Sequence, residues 1–169
     1  MALWRRRNQQ QPATPPPAYF APPPPPVATP TSQPRSAPPP DQPIGVRPRW
    51  QVERLRDEAQ RWSADVQRDP ANFDGTPRDD ECERGIIAAA RWALGELEAA
   101  PITGTRTGLG VLPGVDLMEE EDDRAEWALR HPREVGYSSS YSNGVQHCLM
   151  WITGDTDDSP IGFGDETRV

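Results

Sequence analysis

The chain has 169 residues, 22 prolines, 2 cysteines and a formal net charge of −8. That length allows one domain and a tail, and a hydrophobic content of 34% is too low for every segment to reach a core. The longest apolar runs, 86–90 and 148–152, fall far short of the roughly 18 residues of a membrane span. No apolar stretch of signal-peptide type follows the N-terminal arginines. A cytoplasmic protein without membrane contact is therefore expected, with Cys82 and Cys148 as reduced core thiols. All 18 basic residues are arginine, a usage expected of a GC-rich bacterial genome.

Residues 12–48 hold 16 of the 22 prolines. Their runs favour polyproline II, whose backbone stays solvated, so residues 1–48 are expected to form a disordered, cationic tail. Residues 1–49 carry a net charge of +5 and the remainder −13. The tail reads first as a spacer or tether. Pro16-Pro17-Ala18-Tyr19 matches a proline-rich docking pattern, a cheap match in so proline-rich a segment. Arg5, Arg6 and Arg7 form a patch able to add phosphate affinity without base readout.

Residues 49–169 read as an acidic helical domain of about four helices. The first should span 49–68, with Val52, Leu55, Ala59, Trp62 and Val66 on one stripe and Pro70 ending it. The second should start at Thr76, with Pro77 at the first helical position and Asp79 completing the cap, and stop at Gly95. The glycine-rich segment 101–115 reads as a loop or short hairpin. A third helix should run over 117–131 with Asp116 as cap and Pro132 as terminator. Its acidic run, Glu119 to Asp123, reads as a solvated helix start.

An internal repeat at an offset of 59 residues is the most informative pattern. Gly85, Trp92, Gly95, Pro101 and Ile102 recur as Gly144, Trp151, Gly154, Pro160 and Ile161. Repeat units over about 77–102 and 136–161 follow. Residues 142–153 alone could form a hairpin at Asn143-Gly144 or a helix on the spacing of Val145, Cys148, Leu149 and Ile152. The helical first copy decides for a helix, capped by Ser142. Each unit would bury a tryptophan one turn before a glycine C-cap, Gly95 or Gly154.

No motif with catalytic, cofactor or metal chemistry stands out. Asp155, Asp157, Ser159 and Glu166 take four positions of a calcium loop, but Pro160 stands where that loop needs glycine. His131, His147, Cys82 and Cys148 lack zinc spacing. A non-enzymatic interaction or scaffold module is expected, binding a protein partner or itself. Trp62, Trp92 and Trp151 would be the core or interface anchors. The alternative is a nucleic-acid accessory protein using Arg5, Arg6, Arg7, Arg35, Arg47 and Arg49. A second alternative is an enzyme whose carboxylates converge around Glu96 and Asp155.

Overall fold

A computed structural model describes residues 42–162 of the chain. Residues 1–41 of the expected 1–48 tail, with Arg5, Arg6, Arg7 and Arg35, lie outside the described residues, as does Glu166, whereas residues 42–48 are described. The described residues form a mostly helical domain: α1 (Arg49–Arg68), α2 (Glu81–Ala93), α3 (Val115–Arg130), α4 (Pro132–Val135) and α5 (Ser139–Thr153). Among them, β pairing amounts to isolated bridges.

The helices pack in the order α1, α2, α5, α3, so α2 and α5 are the inner pair. Their N-terminal ends lie together, where Ser138 Oγ donates to Glu81 Oε2 at 3.0 Å. The approach is close because two glycines make it so. A Cβ added at Gly85 would lie 2.1 Å from the Tyr141 carbonyl oxygen and 3.0 Å from Val145 N. At Gly144 it would lie 2.0 Å from the Cys82 carbonyl oxygen and 3.1 Å from Ile86 N. Both pairs of neighbours are themselves related by the 59-residue offset. The crossing is therefore pseudo-twofold: each helix presents the same surface to the other.

Burial repeats in the same way. α2 buries Gly85, Ile86, Ala89, Ala90, Trp92 and Ala93. Each has a buried counterpart 59 positions later in α5: Gly144, Val145, Cys148, Leu149, Trp151 and Ile152. The helix ends repeat too. Gly95 and Gly154 take φ of 76° and 96°, and Glu96 N and Asp155 N donate back to the Arg91 and Met150 carbonyls at 2.8 and 2.9 Å. That left-handed turn with its six-to-one bond favours glycine over side-chain-bearing residues.

Helix starts differ from their expected positions. α2 begins at Glu81 and not after Thr76. The Thr76 hydroxyl is engaged in its own loop, donating to Asp74 Oδ1 at 2.7 Å and accepting from Asn72 at 2.8 Å. α3 follows Gly114, so Asp116 lies inside the first turn and does not cap it. α5 begins a turn early, capped by Ser138, whose side chain accepts from Tyr141 N at 3.0 Å. Ser142, the expected cap, is buried inside the helix. Segment 101–115 is a loop up to Gly114, with one bridge between Ala99 and Arg106.

Gly85→Ala and Gly144→Ala are each expected to destabilise the domain by about 2 kcal/mol, despite the roughly 1 kcal/mol that alanine gains over glycine inside a helix. Urea titrations followed by circular dichroism measure both. A neutral effect at either position would contradict the close crossing.

Candidate functional site

Two of the three singled-out tryptophans belong to the core. Trp92 is 0% exposed and Trp151 4%. Trp92 Nε1 donates to Thr107 Oγ1 at 3.2 Å, so the glycine-rich loop closes over that indole. Trp151 is closed by a different segment. Residues 44–47, which composition assigns to the tail, cross the C-terminal end of α5. Ile44 is buried in the core, and Val46 N donates to the Ile152 carbonyl at 2.9 Å. Arg47 stands 5.0 Å over the Trp151 ring. Its Nε donates to the Trp151 carbonyl at 2.7 Å and Nη2 to the Thr156 carbonyl at 2.7 Å. A further bond reaches Asp157 at 3.1 Å.

Trp62 is placed otherwise. It is 54% exposed, and Ser63 takes the position on the buried stripe of α1 between Ala59 and Val66. The physical reason is a polar link: Ser63 Oγ donates to Asp80 Oδ2 at 2.6 Å, holding α1 to the start of α2. An indole there would displace it. Trp50, which the stripe did not include, is 56% exposed on the same helix. Trp50, Arg54, Glu58 and Trp62 follow each other at steps of four residues. They form one ridge inclined across the outward surface of α1. Arg54 Nε donates to Glu58 Oε1 at 3.1 Å within this ridge. The signal was present in the sequence as two tryptophans twelve residues apart with a charge pair between them.

Several of the remaining chemical candidates make structural contacts. Glu96, proposed to converge with Asp155, pairs with Arg56 and Arg91. Burial pushes the Cys148 thiol up, and the half-buried Cys82 thiol is raised by burial and then by the Glu83 charge. Both thiols therefore stay protonated and weakly nucleophilic near neutral pH. His131 stacks on Trp127 at 4.4 Å, with Arg124 on that indole at 4.0 Å. Among the described residues no group of three His, Cys, Asp or Glu side chains could hold a metal ion.

The acidic run of α3 is not wholly solvated. Glu121 is 1% exposed; its carboxylate accepts from Ile102 N and from Thr103 N, the latter at 3.1 Å, pinning the loop after α2 onto α3. Burial raises its pKa against the pull of those bonds. Asp122 is half-buried, with Oδ1 lacking a hydrogen-bond partner among the described residues. Burial, with the charges of Asp123, Asp155 and Glu126, pushes its pKa up to about 7.

No family model matches the chain, and comparison with curated proteins and with solved structures finds no match to it.

Asp122 sets a pH dependence of stability. Its unfolded-state value is 3.8, and the folded state holds the proton up to about pH 7. Between those values the folded state binds more protons, so its contribution is most favourable at the acid end and is lost as pH rises through 7. Asp122→Asn is expected to raise stability at pH 8 by roughly 1 kcal/mol, the full shift being discounted for solvent screening. At pH 4 it should change little. Thermal melts at both pH values check this; an equal effect at both would contradict it.

Proposed function

We propose that this chain is a non-enzymatic protein-interaction module. The outward face of α1 is its docking surface and the proline-rich N-terminal segment its tether. The observation that carries this proposal is the unequal treatment of the tryptophans. Trp92 and Trp151 are buried, whereas Trp50 and Trp62 are each more than half exposed on one helix. Tryptophan is costly to leave in water and is the residue most enriched at binding hot spots. A ridge with an indole at each end and a charge pair between them has the composition of an interface anchor with its own polar specificity.

Other features support the same assignment. The repeat identities and the matched burial of α2 and α5 fit an internal duplication, which supplies a rigid inner pair and leaves the outer helices to present surface. Free Cys82 and Cys148, with no described helix long and apolar enough to cross a membrane, fit action in the cytoplasm. Arg47 and Arg49, counted among the arginines for nucleic-acid binding, are engaged inside the domain with Trp151, Thr156 and Glu53. Four arginines outside the described residues then remain for that alternative.

The test is affinity capture on immobilised full-length chain beside a Trp50→Ala/Trp62→Ala variant. Retention of the specific partner is expected to fall at least about tenfold in the variant, with the thermal midpoint unchanged. Equal retention by both would contradict the assignment of the face.

A further inference from the structure

We infer that the α1 face docks a second copy of this chain, helix against helix and antiparallel. This inference rests on the interaction role proposed for that face and names its partner. The ground is self-complementarity along the ridge. Trp50, Arg54, Glu58 and Trp62 lie at equal steps of four. A twofold axis passing between Arg54 and Glu58 exchanges the two ends. It sets Trp50 against Trp62 of the second copy and Arg54 against Glu58 of the second copy, and each pairing occurs twice. Aromatic meets aromatic and cation meets anion, as an isologous interface requires.

The neighbouring residues obey the same relation. Gln51 is exchanged with Arg61, an amide against a guanidinium. At about 100° per residue these side chains share the side of α1 turned away from Arg56, which itself reaches toward Glu96 of its own domain. No like-charged pair faces itself across the axis.

The geometry of helix packing favours such a contact. Ridges of residues four apart are inclined at about −26° to the helix axis, so two of them lie alongside each other when helices cross near −50°. At 1.5 Å per residue the ridge from Trp50 to Trp62 is about 18 Å long, enough for one helix–helix contact with an aromatic cluster at each end. Arg54 and Glu58 already pair within the chain at 3.1 Å, with 43% and 20% of their side chains exposed. Glu58 also lies 3.6 Å from Arg61, so docking joins two intrachain Arg54–Glu58–Arg61 clusters into one charge network at the centre, and little new desolvation of a lone charge is needed. A contact of one helix per chain is below the area of a permanent dimer, so the association is reversible and concentration-dependent.

Sedimentation of the full-length chain over a range of concentrations tests this, with thermal melts as the folding control. The wild type should move between monomer and dimer, and Trp50→Ala/Trp62→Ala should stay monomeric. Arg54→Glu and Glu58→Arg alone place like charges together and should each weaken the dimer by about tenfold or more. The double exchange Arg54→Glu/Glu58→Arg should restore it. A wild type that remains monomeric throughout its soluble range overturns the inference, as does a dimer indifferent to Trp50→Ala/Trp62→Ala and to both single charge reversals. If the wild type is monomeric yet captures another protein through Trp50 and Trp62, self-docking falls and the interaction role stands. If it is monomeric and that capture fails as well, both fall.

Discussion

Two helix backbones approach so closely at Gly85 and Gly144 that neither position has room for a methyl group. The rest of the domain is arranged around that contact. Ala89 and Ala90 follow it on one helix and Cys148 and Leu149 at the matching positions of the other, all buried. With the inner faces occupied by each other, α2 and α5 each keep one flank free. α1 takes the first and α3 the second. A four-helix core with two inner and two outer members follows from that single close approach and from packing the remaining apolar stripes.

The two ends of the inner pair pose the same problem and receive different solutions. Each helix ends with a tryptophan, a left-handed glycine and an acidic residue bonded back to the last turn. The first indole is covered by the loop that follows it, which Glu121 fastens to α3 by accepting two backbone bonds. The second is covered, among the described residues, by the segment preceding α1, whose Arg47 guanidinium stands over the ring. Arg47 is thereby the main polar tie between the beginning and the end of the described chain. A buried carboxylate and a half-buried guanidinium hold the ends, while the glycine crossing holds the centre.

Periodicity made much of this legible. The stripe of α1 apart from Trp62, the helical first repeat copy and the glycine stops follow from local spacing, which is what a helix enforces; the second copy, open to a hairpin on spacing alone, is read as a helix through its match to the first. Helix starts were less legible, because Thr76 and Ser142 can cap in principle but are claimed by loop and interhelical contacts that only the fold brings near. Glu121 illustrates the same limit. Within the sequence it is one of five consecutive acids at a helix start, and its burial depends on a loop nineteen residues earlier folding onto it. Trp62 misled because it sits at the edge of an apolar stripe, where a turn of tens of degrees separates core from solvent; Ser63 and its bond to Asp80 decide the rotation. Trp50 gave no apolar periodicity, since the next two positions along its ridge are an arginine and a glutamate.

The domain thus combines a rigid centre with an outer helix whose exposed surface is aromatic at both ends and charged between them. That centre rests on Gly85 and Gly144 each lying against the backbone of the opposite helix, and a proton–proton cross-relaxation spectrum of the isotopically labelled chain tests it most directly. A Gly85 Hα cross-peak to the Val145 amide and a Gly144 Hα cross-peak to the Ile86 amide should both appear, at comparable intensity. If both are missing, with each glycine seeing only its own helix, the inner pair does not cross as described and the pseudo-twofold centre is contradicted.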